Sequence, residues 1–369
     1  HSMSEKKSGK LRILVAPLDW GLGHATRCIP VIHALLAQDC DVWLAGEGAQ
    51  KTLLQQEFPQ LPFLDLEGYR VKYAKTALGL MLGILKQATR IKKAIKKEHE
   101  WLKQVIAQYH FDAIISDNRY GLHHKNIPAV FITHQLQIKS PFGKWSERWL
   151  QQKNYAYINQ FTACWVPDHK SENQLAGALS HPLILPNVPV TYIGRLSRFE
   201  KKEVNSKPEH LLILLSGPEP QRSILENKII NEISFYKSTA TIVRGLPDAV
   251  QLIPSTNMIR FFNHLPAKML NEEMQKASCI IARSGYSTVM DIAALGKKSI
   301  LIPTPGQTEQ EYLAGYLAEK NFAPFILQND FSISKALSLV NNFQYKANNG
   351  VTDNEMKEAI RLFIASLNK

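Results

Sequence analysis

The chain has few cysteines, no long apolar run and no low-complexity tract, and each absence excludes a class of protein. Its 369 residues include four cysteines, which are scattered without the C-x-x-C spacing of zinc or redox motifs: Cys28, Cys40, Cys164 and Cys279. No apolar run reaches the roughly 18 residues that a membrane-spanning helix needs. No signal-peptide pattern precedes Leu11. We therefore expect a cytoplasmic protein with reduced thiols, rather than a disulfide scaffold or an integral membrane protein.

The sequence also lacks a metal motif in a suitable context. Asp39-Cys40-Asp41 has D-x-D spacing, but it falls between a predicted helix and a predicted strand, where a polar connection is ordinary. We predict no metal and no other cofactor.

Length and composition predict two domains. A chain of 369 residues with 45% hydrophobic residues exceeds the usual size of one core. Strand and helix patterns alternate up to about residue 195 and restart at His210, and residues 180–195, with three prolines, resemble a crossover between the halves. We expect domains at 1–195 and 196–350, with a final helix over 351–369 that returns to the first domain. The fold class is α/β.

The last third contains the most informative stretch. An apolar strand pattern over 279–282 leads into the turn Ser284-Gly285, and a helical pattern then continues to Gly296. A second strand pattern, 299–302, ends at Pro303. In open parallel sheets, ligands bind beyond the carboxyl ends of the strands, where helix N-termini present N–H groups to anions. The stretch therefore predicts a phosphate or diphosphate site.

Two further glycine turns follow strand patterns. Residues 11–17 precede Gly21-Leu22-Gly23-His24, and Thr26 stands where the dinucleotide fingerprint has its third glycine, which argues against NAD. The local pattern leaves open whether His24 is a catalytic base or the cap of a helix. Residues 210–215 precede Ser216-Gly217-Pro218, in which the proline lacks an N–H.

Two strand patterns end in polar pairs that we expect on the same edge of the sheet as His24. Residues 111–117 end in Asp117-Asn118, and residues 128–133 are followed by His134-Gln135. Asp117 is a candidate to orient His24 and stabilise its imidazolium, and the alternative is that it caps the following turn.

These motifs resemble one superfamily. Arg283-Ser284-Gly285, Thr288, Asp291 and Gln310-Glu311 together resemble the nucleotide-sugar signature of the lipid II-forming peptidoglycan N-acetylglucosaminyltransferase and the UDP-glycosyltransferases. Gly-x-Gly-His-x-x-Arg at 21–27 is similar to the start of their acceptor domain. The resemblance implies the GT-B fold, in which two Rossmann-like domains face each other across a cleft.

The resemblance also implies roles for particular residues. His24 is implied as the catalytic base, with Asp117 as our candidate partner, and Asp291 stands where these families usually hold the ribose with a glutamate. The acceptor pocket is implied to include Gly21, Gly23, Asn118, His134 and Gln135. The donor site is implied to include Ser216, Gly217, Arg222, Phe261, Phe262, Arg283, Ser284, Gly285, Thr288, Asp291, Gln310 and Glu311. For Phe261-Phe262 and for Arg222, core packing and solvent exposure are the respective alternatives.

The net charge of +12 is concentrated in one stretch. Between Arg70 and Lys103 there are ten lysines or arginines and two acids, and apolar residues recur at helical intervals. Lys86, Arg90, Lys93 and Lys97 form a separate stripe, which suits an anionic membrane surface or, equally, a solvated helix face. Trp145 and Trp149 add two aromatic residues, as interfacial anchors or as core. Nucleic acid is not expected.

The sequence thus predicts an inverting glycosyltransferase that moves a sugar from a UDP-sugar, UDP-N-acetylglucosamine or a UDP-hexose, to a hydroxyl acceptor that is either soluble or lipid-linked. On this prediction the protein is cytoplasmic, with peripheral attachment to the inner face of the membrane in the lipid-linked case. Two alternatives remain: a non-hydrolysing UDP-sugar 2-epimerase, and a non-catalytic nucleotide-sugar binding protein.

Overall fold

The structure, a computed structural model, describes residues 9–71, 77–347 and 354–369, without the side chains of residues 77–86. In this described part the chain forms two compact units. The first holds the residues up to Leu196 and the C-terminal helix, and the second begins at Ser197. The division falls one residue after the expected boundary.

The first unit is built on a seven-stranded sheet in the order β3-β2-β1-β4-β5-β6-β7, with every neighbouring pair parallel. Its strands are β1 Arg12–Pro17, β2 Asp41–Gly46, β3 Phe63–Asp65, β4 Ala113–Asp117, β5 Ala129–Ile132, β6 Ala163–Val166 and β7 Val190–Tyr192. Its helices before Leu196 are α1 Leu22–Ala37, α2 Gly48–Glu57, α3 Ala77–Tyr109 and α4 Lys144–Ile158. Strand β7 lies within residues 180–195, the stretch that was predicted to lead from the first half to the second.

The arrangement around β1 positions the first polar cluster. All six residues of β1 are buried, and β1 pairs with β2 on one side and with β4 on the other. The register places Pro17 opposite Asp117, so the chain leaves β1 beside the end of β4. This is the point at which the strand order reverses, where open parallel sheets bind ligands.

The second unit has a five-stranded parallel sheet in the order β10-β9-β8-β11-β12. Its strands are β8 Leu211–Leu214, β9 Ala240–Val243, β10 Ile259–Phe262, β11 Cys279–Ala282 and β12 Ser299–Leu301. Its helices are α5 Gln221–Ile233, α6 Ala267–Lys276, α7 Tyr286–Leu295, α8 Thr308–Glu319 and α9 Ile333–Asn342. Helix α7 ends at Gly296 in the left-handed conformation, with φ at 63°, as the sequence pattern predicted.

The last helix, α10 Glu355–Leu367, packs in the first unit. Its Phe363 meets Trp165 of β6 edge to face at 5.5 Å between ring centroids, and Glu355 lies 3.1 Å from the ring nitrogen of His169. Gly194 has φ at +72°, and a Cβ there would come within 2.4 Å of the Glu355 carboxylate, so glycine permits this approach.

Helix α3 is the predicted basic helix. Its Ile95 and Leu102 are buried within the first unit, whereas Arg90, Lys93 and Lys97 are exposed. Lys86 lies outside the described side chains. The described part of the helix therefore packs its apolar side on its own unit and presents its basic stripe to solvent.

The four cysteines are free and buried, as predicted. Among the described residues no helix combines the length and apolarity needed to cross a bilayer, and no three His, Cys, Asp or Glu side chains cluster as metal ligands would.

Candidate active site

The glycine turn after β1 places His24 in the first turn of α1. Gly21 has φ at +82°, a backbone conformation that favours glycine, and α1 begins at the next residue. His24 is therefore inside the helix, and no side chain makes a capping hydrogen bond at its N-terminus. The alternative that His24 caps the helix was wrong.

The ring of His24 binds Asp117 at the end of β4. Its Nδ1 lies 2.7 Å from Asp117 Oδ1, and Asp117 is fully buried, whereas 18% of the His24 side chain is exposed. Burial lowers the pKa of His24 although Asp117 opposes this shift. A neutral His24 that donates Nδ1–H to a carboxylate carries its lone pair on Nε2, the atom that can accept a proton.

Arg27, one turn further along α1, binds the same carboxylate. Its Nη2 lies 2.6 Å from Asp117 Oδ1, and its Nε donates to Oδ2. Burial alone would raise the pKa of Asp117, but Arg27 and His24 together hold that pKa well below its usual range. Asp117 is therefore a buried anion shared by His24 and Arg27. The sequence analysis assigned no role to Arg27, although it closes the Gly-x-Gly-His-x-x-Arg motif.

The expected acceptor residues surround this cluster. His134 is buried, and its Nδ1 lies 3.1 Å from Arg27 Nη1; because arginine can only donate, this nitrogen of His134 accepts. Asn118 Nδ2 donates to Asp117 Oδ1 at 2.9 Å, and its backbone is left-handed with φ at 58°. The partly exposed Gln135 follows His134. His24, Asp117, Asn118 and His134 thus form one connected network.

In the second unit, the start of α7 presents a polar face. Thr288 and Asp291 are three positions apart on α7, a spacing that puts them on one side of the helix, and Ser284 lies in the turn just before the helix begins. Ser284 Oγ donates to the carbonyl oxygen of Gln310 at 2.8 Å. The side-chain nitrogen of Gln310 lies 3.9 Å from where a Cβ on Gly285 would be, so this amide lies beside the helix start.

The loop after β12 is held by Gln310 and Glu311, two residues of the predicted donor site. Gln310 Oε1 accepts from the backbone N–H of Thr304 at 2.9 Å, and Glu311 Oε1 accepts from that of Gly306 at 3.2 Å. Thr304 was not singled out from the sequence. Its buried hydroxyl has no hydrogen-bond partner among the described residues, and it lies 3.7 Å from where a Cβ on Gly217 would be. The β8 and β12 loops therefore meet at Gly217 and Thr304.

Asp291 has a partner that the sequence did not indicate. Ser197 Oγ donates to Asp291 Oδ1 at 2.6 Å. Burial raises the pKa of Asp291 to about 6, although Arg198 and the Ser197 hydrogen bond both act to lower it.

Two arginines of the predicted donor site make their hydrogen bonds and ion pairs within the protein. Arg283 is 1% exposed, and its Nη2 donates to the carbonyl oxygen of Gln221 at 3.1 Å and to Gln328 Oε1 at 2.6 Å. Its Nη1 lies 3.4 Å from the carbonyl oxygen of Ile302. Burial lowers the pKa of Arg283 to about 10. Arg283 therefore joins the start of α5 to the loop after β12 from within the protein, and its contact with the donor stays a prediction.

Arg222 is a buried member of an ion-pair cluster. Its Nε lies 2.6 Å from Glu219, its Nη1 lies 3.1 Å from Glu226, and Arg244 binds Glu226 from the other side at 2.6 Å. Arg222 is 4% exposed, so the solvent-exposed alternative was wrong, and its contact with the donor stays a prediction. Phe261 is partly buried against the core, and Phe262 lies 4.8 Å from the guanidinium of Arg260.

Comparison with solved structures identifies the class of fold. The spinosyn rhamnosyltransferase SpnG aligns over 97% of this chain and 96% of its own, with a TM-score of 0.63 and 14% identity. SnogD from Streptomyces nogalater aligns over 97% of this chain and 100% of its own, with a TM-score of 0.62 and 12% identity. MurG of Acinetobacter baumannii aligns over 96% of this chain and 99% of its own, with a TM-score of 0.59 and 15% identity. The chain has the GT-B fold of glycosyltransferases, which confirms the predicted fold class.

A sequence match to a known family covers the later part of the second unit together with α10. Residues 257–368 match the model of the glycosyltransferase family 28 C-terminal domain, and this confirms the predicted resemblance. The UDP-N-acetylglucosamine–N-acetylmuramyl-(pentapeptide) pyrophosphoryl-undecaprenol N-acetylglucosamine transferase of Rhodopseudomonas palustris (strain HaA2) is 36% identical over 92 residues, which are 24% of this chain and 23% of that protein. The enzyme of the same name from Nitrobacter winogradskyi is 37% identical over 92 residues, again 24% and 23%. The match thus spans about a quarter of the length of these curated relatives.

Proposed function

We propose that the protein is an inverting glycosyltransferase that transfers a hexosyl or N-acetylhexosaminyl group from a UDP-sugar to a hydroxyl acceptor. The match to the family 28 C-terminal domain supports sugar transfer, and the activity named for the relatives supports a UDP-linked donor. His24 Nε2 takes the acceptor proton as the acceptor oxygen bonds to the anomeric carbon. The bond from that carbon to the diphosphate oxygen breaks, and its electron pair leaves with the diphosphate.

The observation that carries this proposal is the hydrogen bond from His24 Nδ1 to Asp117 Oδ1 at 2.7 Å. It fixes the tautomer with a basic Nε2, and the buried Asp117 anion stabilises the imidazolium that forms when His24 takes a proton. Arg27 keeps Asp117 ionised, since it makes two hydrogen bonds to the same carboxylate. A histidine that serves only to pack α1 would not need an ionised partner.

In the second unit, the N-terminus of α7 supports the donor role. Its first N–H groups, next to Ser284-Gly285, suit the negative charge that develops on a leaving diphosphate. Asp291 lies on the same face of α7 as Thr288, and we assign its carboxylate to the ribose hydroxyls, with no metal in this step. Gln310, beside Gly285, is assigned to the hydroxyls of the transferred sugar.

For the acceptor, an exposed aromatic surface on α4 favours a lipid-linked molecule at an anionic membrane. Trp145 and Trp149, one turn apart, are 80% and 51% exposed, so the alternative that they are core residues was wrong. Lys144 and Arg148 alternate with them and are also exposed, and Lys153 Nζ lies 5.6 Å from the Trp149 ring. Exposed tryptophans with interleaved cations match the interface of an anionic bilayer.

One experiment tests the activity and separates the alternatives. The full chain is incubated with a panel of UDP- and TDP-sugars, with and without extracted bacterial lipids, and the products are analysed by mass spectrometry. Transfer is expected only when acceptor is present, with free UDP released. Epimerised sugar without acceptor would indicate a 2-epimerase, and donor binding without turnover in any mixture would indicate a binding protein.

A further inference from the structure

Ser197 is fixed between Asp291 and its own chain. Its Oγ lies 2.6 Å from Asp291 Oδ1 and accepts the backbone N–H of Phe199 at 3.1 Å. A serine hydroxyl has one proton, and a carboxylate can only accept, so this proton points at Asp291. The hydroxyl therefore has one orientation, set by a donor on one side and an acceptor on the other.

The segment that carries Ser197 is fastened to the body of the second unit. Phe199 is 5% exposed. The carbonyl oxygen of Glu200 accepts from Asn271 Nδ2 at 3.3 Å, and the backbone N–H of Lys202 donates to Gln275 Oε1 at 2.7 Å. Asn271 and Gln275 are buried on α6, which packs against α7. Ser197 thus has a fixed place relative to the helix that bears Asp291.

We infer that Ser197 is a positioning residue for ribose recognition: it holds one oxygen of the Asp291 carboxylate so that the other is presented to a ribose hydroxyl of the nucleotide. The inference rests on the proposed function, because it takes Asp291 as the ribose ligand. An aspartate can rotate about two side-chain bonds, and a hydrogen bond to Oδ1 removes much of that freedom. A carboxylate has about four lone-pair positions, so Ser197 leaves capacity for the ribose.

The charge on Asp291 gives a second readout. A ribose hydroxyl donates more strongly to an ionised carboxylate than to a neutral one. Burial raises the pKa of Asp291 to about 6, and Arg198 and the hydroxyl of Ser197 both act against this shift. Arg198 also lies 4.8 Å from the ring of Phe199, in the same fastened segment. Removal of the Ser197 hydroxyl should therefore raise the pKa of Asp291 further.

The test uses the full chain and isothermal titration with UDP and 2′-deoxy-UDP between pH 5 and pH 8. The variants are Ser197→Ala, Ser197→Cys, which keeps the size but donates weakly, and Ser197→Thr, which keeps the hydroxyl. Ser278→Ala is the matched control, since Ser278 Oγ donates to the carbonyl oxygen of His210 at the opposite end of β11. Thermal unfolding without nucleotide checks that each variant is folded.

We expect Ser197→Ala to weaken UDP binding about three- to tenfold at pH 7, the range of one hydrogen bond, and to reduce the preference for UDP over 2′-deoxy-UDP. The midpoint of the pH dependence should move upward. The UDP affinity of Ser197→Cys should fall between those of Ser197→Ala and the wild type. The affinities of Ser197→Thr and Ser278→Ala should resemble that of the wild type. If wild type binds UDP and Ser197→Ala matches it in affinity, preference and pH midpoint, the inference is overturned while the proposed function stands. If wild type binds no UDP, the proposed function itself fails.

Discussion

Arg27 binds the Asp117 carboxylate at two points, with Nη2 2.6 Å from Oδ1 and Nε donating to Oδ2. Both side chains are at most 2% exposed, so neither charge has water to replace its partner. Loss of one charge leaves the other buried and uncompensated, which costs more than the pair itself contributes. The pair therefore links the stability of the first unit to the ionisation of Asp117.

Asp117→Asn should lower the free energy of unfolding at pH 7 by about 3–5 kcal/mol. Because the folded pKa of Asp117 lies below the unfolded value, its stabilisation is fully present above the unfolded pKa and is lost as pH falls through the folded value. Urea unfolding should thus show a difference from wild type that narrows below about pH 4. The double variant Arg27→Met with Asp117→Asn should recover part of the loss. An additive double loss would contradict the pairing.

His24→Ala should reduce the rate of sugar transfer by roughly two to four orders of magnitude, while the affinity for UDP changes little. The physical reason is that the variant lacks the basic nitrogen that takes the acceptor proton. His33→Ala is the matched control, since His33 lies on the same helix and its side chain is 59% exposed. Steady-state kinetics with a saturating acceptor measure the effect, and turnover within a few-fold of wild type would remove His24 from the mechanism.

Asp291→Asn should stabilise the protein without nucleotide and weaken UDP binding. The raised pKa of Asp291, about 6, means that its ionisation destabilises the fold as pH rises from the unfolded pKa through 6. We expect the free energy of unfolding of the variant to exceed that of wild type by about 1–3 kcal/mol at pH 7. The two free energies should become equal near pH 4. Asp291→Ala should weaken UDP binding by about 1–3 kcal/mol in titration calorimetry. Equal UDP affinities would contradict the ribose role.

Arg283→Met should act on stability first and on nucleotide affinity only through the loops. It removes the donors to the carbonyl oxygens of Gln221 and Ile302, so a loss of about 2–5 kcal/mol of unfolding free energy is expected. Arg260→Ala is the control, since Arg260 is 47% exposed and pairs with Glu273 at 3.4 Å. If Arg283→Met unfolds at the same denaturant concentration as wild type but no longer binds UDP, a direct contact between Arg283 and the diphosphate would be favoured instead.

Replacing Lys86, Arg90, Lys93 and Lys97 with Gln should weaken binding to anionic vesicles by several kcal/mol, at about 1 kcal/mol for each charge. A second variant, Trp145→Ser with Trp149→Ser, should weaken vesicle binding at low and at high salt, because it removes apolar contact rather than charge. Co-sedimentation with phosphatidylglycerol and phosphatidylcholine vesicles distinguishes the two effects. If wild type does not bind anionic vesicles at low salt, the membrane proposal fails and a soluble acceptor is favoured.

The sequence was sufficient where the signal is local. Strand β11 has the predicted bounds, and α7 ends at the predicted glycine, because apolar runs and a left-handed cap depend on neighbouring residues. Thr288 and Asp291 share a helix face for the same reason. The edge of the sheet that carries Asp117 also followed from the sequence, since parallel strands all end on the same side.

The tertiary structure alone decided which long side chains meet. Arg27 lies 90 positions from Asp117, and Ser197 lies 94 positions from Asp291, so no periodicity connects either pair. Strand register brings the first pair together, and the attachment of the segment after Ser197 to α6 brings the second. Arg222 on α5 and Arg283 after β11 turn inward, because a flexible arginine binds the carboxylates and carbonyl oxygens that packing leaves within its reach. The sequence by itself determined the strands and helices and the polar residues at the strand ends. Tertiary packing determined which partners each charged side chain meets.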